Sequence, residues 1–473
     1  MRSPTPVIPI VPAETSLYAK TPKVYPRAVS GHFARWRWAM VALTQAVFYG
    51  LPWMHWNGRP LMLFDLEARR FHVLGLILYP QDFIYLTALL VMSALALFFF
   101  TAVAGRLWCG YACPQTVYTE LFLWIEHHTE GDRSARMRLD RQPWGWDKLW
   151  RKSAKHAGWG ALALFTGFSF VAYFTPAPVL ARELWQFSAS PWEAFWVLFY
   201  AGATYGNAGW MREQVCKYMC PYARFQSALI DGDSLVIAYD TRRGDPRGAR
   251  KGRHEAGAPA AARGDCIDCS LCVQVCPTGI DIRNGLQNEC IGCAACIDAC
   301  DDVMDRVGSP RGLIRYATGH GMAQGLGRAQ MLRRVLRPRV LVYGALLAAG
   351  GVAFVASIAL RSPLHLDVLK DRNTLGRVLE DGRIENVYRL HLLNATAEPQ
   401  RVQVSARGLP GLALAQPTVV SLEAAETGAA TVQLVMPADA PEALRGHAEP
   451  VEFELRGEHG LVVRAKSTFF VPR

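Results

Sequence analysis

Residues 266–277 read CIDCSLCVQVCP and residues 290–301 read CIGCAACIDACD. Both follow C-x2-C-x2-C-x3-C, a spacing in which three thiolates two residues apart reach three corners of one [4Fe–4S] cube. The fourth cysteine, a helical turn onward, points to a second cube. The pattern predicts one cluster on Cys266, Cys269, Cys272 and Cys300 and another on Cys276, Cys290, Cys293 and Cys296. Zinc sites group their four ligands in pairs, and a reducing compartment disfavours structural disulfides, so neither fits this arrangement. Asp301 and Asp302 follow Cys300 where a proline would be usual, and carboxylates there tend to lower a cluster's potential. Two adjacent cubes are an electron relay, not a group-transfer catalyst.

The chain has 12 cysteines, and the other four also fall into motifs. WCGYACPQ (108–115) and VCKYMCPY (215–222) share the skeleton Cys-x-Tyr-x-Cys-Pro, each where an apolar run ends. If the helix continues through each pair, i and i+4 spacing puts both thiols on one face, and the proline limits or bends the next turn. Brought together, Cys109, Cys113, Cys216 and Cys220 offer up to four soft sulfur ligands, which favour Cu(I), zinc or iron–sulfur clusters over hard cations. Spacing leaves open whether the pairs bind copper or exchange thiol and disulfide. Duplication of the motif at two equivalent places argues against helix-end cysteines by chance. It also suggests a diverged repeat of helix, loop, helix and Cys pair.

Half of the 473 residues are hydrophobic (51%), 14 are tryptophan, and the formal charge is +11. Dense apolar runs in a basic chain point to a membrane protein with its positive charge sorted to one side, not to a nucleic-acid-binding domain. Five segments reach the roughly 17–25 mostly apolar residues of a spanning helix: 38–56, 83–104, 158–177, 192–210 and 340–360. Residues 1–37 carry six Lys/Arg against one acid, and 105–157 carry nine against six, whereas the loops 57–82 and 179–191 show no such excess. The positive-inside rule places the N-terminal segment (1–37), the 105–157 loop within the four-helix region 38–210, and residues 211–339 in the cytoplasm. The fifth span, 340–360, then sends residues 361–473 to the other face. A polar stretch precedes the first apolar run, so that run reads as an uncleaved anchor.

Residues 241–265, TRRGDPRGARKGRHEAGAPAAARGD, read as a flexible linker into a ferredoxin-type segment at about 257–305. His127 and His128, in IEHHTEG, point about 100° apart on a helix and read as solvated rather than as ligands. Residues 362–473 lack cysteine and tryptophan and alternate with period two in NVYRLHLLN, RVQVSA, ATVQLVM, VEFELRG and LVVRAKSTFFV. That pattern predicts a β-sandwich, and an immunoglobulin-like fold without the inter-sheet disulfide suits its length. Asn394-Ala-Thr matches a glycosylation sequon by chance. The expected architecture is a polytopic α-helical membrane protein of about five spans, with a cytoplasmic two-[4Fe–4S] ferredoxin-like insert and a C-terminal immunoglobulin-like β-sandwich.

VYPRAVSGHFARWR (24–37), both Cys-x3-Cys-Pro pairs, the paired ferredoxin motifs and the C-terminal domain together resemble the CcoG/FixG/RdxA family of cytochrome c oxidase accessory proteins. The resemblance covers nearly the whole chain. It implies a bacterial inner-membrane oxidoreductase that reduces Cu(II) to Cu(I) for assembly of cbb3-type cytochrome oxidase. The family's membrane-edge cysteines fall on Cys109, Cys113, Cys216 and Cys220, and its cluster ligands on the eight ferredoxin cysteines. Copper is then a transient passenger, handed to a copper chaperone or an oxidase subunit, and the electron donor is left unnamed. Thiolate sulfur prefers Cu(I), whereas Cu(II) prefers nitrogen and oxygen, so a sulfur site at the end of a relay makes that role coherent. One alternative is a quinol-linked relay resembling NapH and NosR, which share such pairs. The β-sandwich and the lack of a CxxCH haem motif count against it. Another is a non-redox assembly scaffold with structural clusters.

Overall fold

A computed structural model describes residues 23–248, 264–371, 376–396, 398–424, 426–438 and 445–472. Residues 1–22 of the N-terminal segment and 249–263 of the expected linker lie outside the described residues. The chain divides into two compact units that interleave along the sequence. One contains residues 1–47, 97–168 and 195–343, and the other 48–96, 169–194 and 344–473.

The first unit carries all 12 cysteines. Its ferredoxin segment is built twice over. In each motif the residue two past the first cysteine is left-handed (Asp268, φ 56°; Gly292, φ 71°), and so is the residue four past it (Ser270, φ 57°; Ala294, φ 60°). These reversals turn the backbone around its thiols and release it into a helix one residue before the third cysteine: Leu271–Gln274 in one motif, Ala295–Val307 in the other. A two-stranded antiparallel ribbon, Val236–Tyr239 against Ile314–Ala317, closes over them. Ile237, Tyr239 and Ile314 pack with Ile282, Ile297, Val303 and Met304 in one apolar core that includes Cys266 and Cys272.

The helix His32–Gly50 starts against this segment. The Asp298 carboxylate accepts hydrogen bonds from the backbone N–H of Phe33 (3.1 Å) and Ala34 (2.7 Å), supplying an acid to a helix N-terminus from a distant element. Gly31 permits the approach, because a Cβ there would stand 2.3 Å from the Asp298 Cγ.

The stretch expected as a cytoplasmic loop, 105–157, is mostly helical. It forms Leu107–Tyr111, Pro114–Glu130, Arg133–Arg141 and the beginning of Trp146–Val171. Buried charge holds it together: the Glu126 carboxylate contacts Arg136 at 2.8 Å and Arg212 at 2.6 Å, and Glu130 contacts Lys152 and Lys155, each at 3.0 Å. Phe122 stacks on Trp159, 5.2 Å between centroids, and the indole N–H donates to the Phe122 carbonyl.

Helices stand at each expected span, with shifted ends. They cover His32–Gly50, Phe83–Ala104, Trp146–Val171, Pro191–Thr204 (continued by a π-helical turn, Tyr205–Met211) and Pro338–Ala359. The first stops before 56, because Pro52 opens a tight 3-10 turn (Leu51–Trp53) and the chain turns into a short strand at His55. Among the described residues, two helices are long and apolar enough to cross a membrane, Pro80–Ala104 and Pro338–Ala359.

In the second unit these two helices meet: the Tyr85 hydroxyl donates to the Ser357 carbonyl (3.2 Å), and Gly350 lies against Met92. The inter-span loop 57–82 forms the antiparallel sheet Met62–Asp65, Arg70–Val73, Leu76–Leu78. The C-terminal region is the expected sandwich. One sheet orders Ala413–Leu414, Thr427–Met436, Ile384–Asn394 and Leu364–Lys370, with Arg377–Val378 also on Ile384–Asn394. The other orders Thr418–Leu422, Gln400–Arg407, Ala448–Arg456 and Val462–Phe470. Alternate residues Tyr388, Leu390 and Leu392 of one sheet face Val451, Phe453 and Leu455 of the other in a single core, as period two demands.

Candidate iron–sulfur and thiol sites

Two cavities in the first unit are lined by cysteines, four in one and five in the other. Cys266, Cys269, Cys272 and Cys300 share one with Leu271, Val303, Met304, Leu313 and Ile314. Cys276, Cys290, Cys293 and Cys296 share the other with Ile280, Ile282 and Ile291, and Cys272 also reaches its wall. The exchange of the fourth thiol follows from the helix Ala295–Val307, which carries Cys296 into one cavity and Cys300, one turn on, into the other. Each set therefore combines the cysteines that the spacing assigns to one cube. Among the described residues, no three His, Cys, Asp or Glu side chains close on the spacing of a single ion. Thiols distributed around apolar walls suit a cube, whose corners lie apart, better than tetrahedral zinc.

Burial dominates the electrostatics. It pushes the Cys290 and Cys300 thiols up to about 12 and Cys272 up to about 11. Thiols this hard to ionise become ligands only when a cation compensates the thiolate charge, so loading the sites releases protons.

The two Cys-x3-Cys-Pro pairs also come together. Cys109 lies in the short helix Leu107–Tyr111, and Cys113 is extended (φ −63°, ψ 128°) directly before the Pro114 helix. Cys216 lies in a π-helical turn, Val215–Met219, and Cys220 is extended (φ −77°, ψ 110°) directly before the helix Pro221–Leu229. The helix therefore does not continue through either pair, so the one-face arrangement that an unbroken helix would give does not apply. Proline disfavours helical geometry in the residue before it and is well placed at the first position of a new helix. Each pair thus straddles a break, one thiol in the outgoing turn and one at the cap of the next helix. This common break supports the diverged repeat read from the motif.

The four thiols are neighbours. Burial, then Cys113, raises the Cys109 pKa to about 11; burial, then Cys113, Cys109 and Cys220, raises Cys216 to about 12. The Cys109 thiol also donates to the Gln226 Oε1 at 3.3 Å. Cys109 and Cys216 pack with Val275, Ile291, Cys293 and Ala295 of the ferredoxin segment. Cys216 and Cys293 line the same crevice, with Glu120 and Arg37 at 3.8 Å from each other on its wall.

Sequence reasoning passed over three groups here. Arg106 donates to the carbonyls of Asn288, Cys290 (3.5 Å) and Ala223 (2.6 Å). Tyr316 donates to the Gly292 carbonyl at 2.7 Å, and Gln226, fully buried, sits beside Cys109. None carries a motif, although Arg106 abuts one. His127 and His128 are both exposed, and His128 Nδ1 bonds the Trp124 carbonyl at 2.8 Å.

Family models match three stretches of the chain: a 4Fe-4S dicluster domain over 211–319, a 4Fe-4S binding domain over 86–130, and the IG-like fold at C-terminal of FixG over 354–472. Protein RdxB of Cereibacter sphaeroides is 42% identical over 442 residues, covering 91% of this chain and 92% of that protein. Protein RdxA of the same organism is 41% identical over 406 residues, 84% of each. The nitrogen fixation protein FixG of Rhizobium meliloti is 41% identical over 427 residues, 83% of this chain and 81% of that one. Likeness of this extent, over a chain whose cysteines lie where iron–sulfur chemistry needs them, places the protein in the CcoG/FixG/RdxA family of iron–sulfur electron-transfer proteins.

Proposed function

We propose that this chain is a membrane-bound cupric reductase, which converts Cu(II) to Cu(I) for the copper centre of a cbb3-type cytochrome c oxidase. The observation that carries the reading is the gathering of Cys109, Cys113, Cys216 and Cys220, two of which, Cys109 and Cys216, pack against Cys293. Clusters ligated by Cys266, Cys269, Cys272 and Cys300, and by Cys276, Cys290, Cys293 and Cys296, supply one-electron transfer when bound.

The chain's own residues perform the rest. Val275, Ile291 and Ala295 keep water from the space beside Cys109 and Cys216. The four thiols offer soft donors that hold Cu(I) better than Cu(II) and so favour the reduced ion. Each turnover takes one Cu(II) and one electron and releases one Cu(I), the electron coming from a reduced carrier docked on the ferredoxin segment. The apolar helices Pro80–Ala104 and Pro338–Ala359, with Arg333, Arg334 and Arg337 before the second and Arg339 in its first turn, support an inner-membrane location. The ferredoxin segment is then cytoplasmic and the sandwich periplasmic.

A second reading is favoured by the 4Fe-4S binding family model over 86–130: the four thiols hold a cluster of their own. One experiment separates the two. Anaerobically reduced full-length protein is mixed with Cu(II) and a Cu(I)-selective chelator, and its iron is measured. Stoichiometric Cu(I), with iron for two clusters and loss of Cu(I) on changing the four cysteines to Ser, supports the reductase. Iron for three clusters, or electrons passing to quinone analogues and none to copper, overturns it.

A further inference from the structure

Arg106 is a buried cation, 8% exposed, and its hydrogen bonds all end on neutral carbonyl oxygens: Asn288, Cys290 and Ala223. Among the described residues no carboxylate pairs with it. A buried charge without a counter-charge is destabilising, so a guanidinium in this setting calls for an anion beside it. The groups it faces are thiols. It stands outside the cluster cavity, lining a neighbouring crevice with Cys290 and Gly292, and directly precedes the Cys109 helix, so that its charge bears on Cys290, Cys109 and Cys216. Its anchors are also the three pieces that meet here: its own Cys pair, the chain just past Cys220, and the loop of the Cys290 cavity.

The other cavity has the opposite surroundings. Arg283 is there, but two carboxylates neutralise it, Asp281 at 2.7 Å and Asp268. Asp301 follows Cys300 directly, accepts a hydrogen bond from the Gly312 N–H (2.8 Å), and bears on the Cys300 thiol. Near the Cys290 cavity, Arg37 is paired with Glu120, and the Asp298 carboxylate is engaged by the helix N-terminus at Phe33 and Ala34. One side thus carries an excess negative charge and the other an unmatched positive one.

We propose that Arg106 is a positioning residue that makes the cluster of Cys276, Cys290, Cys293 and Cys296 the higher-potential one, and so directs electrons from the Asp301 side toward the paired thiols. A fixed positive charge stabilises the reduced, more negative form of a cluster, and a carboxylate destabilises it. The proposal rests on the two-cluster assignment but not on copper, because it is tested without copper.

The test is an anaerobic redox titration of the full-length protein followed by electron paramagnetic resonance. Arg106→Gln should lower the potential of one cluster and leave the other in place. The expected change is a roughly tenfold drop in that cluster's share of the electron, equal to 59 mV for a one-electron couple. Arg106→Lys keeps the charge with fewer hydrogen bonds and should retain most of the potential; a merely structural role predicts that it fails as Gln does. Asp301→Asn should raise the other cluster and narrow the gap from the opposite side, and it decides the matter if Arg106→Gln does not load its iron. Two loaded clusters with unchanged potentials in Arg106→Gln, or an unchanged gap in Asp301→Asn, overturns the proposal. Intact potentials with no Cu(I) formation would instead count against the reductase reading alone.

Discussion

Gly110, directly after Cys109 in the first Cys pair, rests on Gly292, between the first two cysteines of the second ferredoxin motif. A Cβ on Gly110 would stand 2.8 Å from the Gly292 carbonyl oxygen and 2.8 Å from the Cys293 Cα. Gly292 in turn has φ 71°, and a Cβ there would meet the Arg106 carbonyl at 3.1 Å. Two missing side chains thus let the thiol group and the cluster loop touch backbone to backbone. Gly110→Ala should force them apart, at a cost of about 1–3 kcal/mol for overpacking. We expect Cu(I) production, read with a selective chelator, to fall at least about tenfold while the iron content is retained.

The paired thiols make a separable prediction. Cys109→Ser and Cys216→Ser, singly, should abolish Cu(I) formation and leave the visible absorption of the clusters unchanged. Cys293→Ser should reduce both the cluster absorption and the copper reaction, because its cavity lies upstream. The same spectra and chelator assay check all three variants.

Glu126 is 2% exposed and stands among Arg136, Arg212 and Lys155. Burial alone would raise its pKa, but Arg212, then Arg136 and Lys155, overcome this and hold it below the usual carboxylate range. A folded pKa below the unfolded one gives stability that is present above the unfolded value and lost as pH falls through the folded one. Thermal unfolding of detergent-solubilised protein should therefore show stability declining in acid. Glu126→Gln should flatten that decline and, by leaving the cations facing a neutral amide, cost about 3–5 kcal/mol near neutral pH.

Asp298 caps the helix His32–Gly50 from a distance of more than 260 residues in sequence. Asp298→Ala removes both hydrogen bonds and the charge at the helix N-terminus, costing about 0.5–2 kcal/mol. Hydrogen exchange should show faster opening at Phe33 and Ala34, with the sandwich amides unchanged.

Local chemistry was open to reading from the order of residues. The C-x2-C-x2-C-x3-C spacing identifies the iron–sulfur segment because ligand geometry over a dozen residues is dictated by the chain itself. Alternation in NVYRLHLLN identifies a strand of the sandwich because side-chain direction repeats every two residues. The helices of 83–104 and 340–360 follow from apolar length alone. Where local signals competed, the order of residues left the outcome open. Pro114 and Pro221 break the helices that the i, i+4 spacing of the cysteines invites. The 57–82 loop forms a small sheet, which its short and irregular apolar runs do not announce.

What the sequence by itself determined is the inventory: eight cysteines at cluster spacing, four more in two Pro-terminated pairs, a β-sandwich and the apolar helices. Each follows from interactions within one turn or strand. Only the tertiary structure decided that the two Cys pairs meet, and that they meet on the Cys293 loop. That contact joins residues more than a hundred positions apart. It depends on Arg106 reaching Ala223 and Asn288, and on Gly110 lying against Gly292. Pairings of this kind leave no periodicity in a single chain, because an arginine or a glycine reads the same whether or not a partner arrives from across the fold.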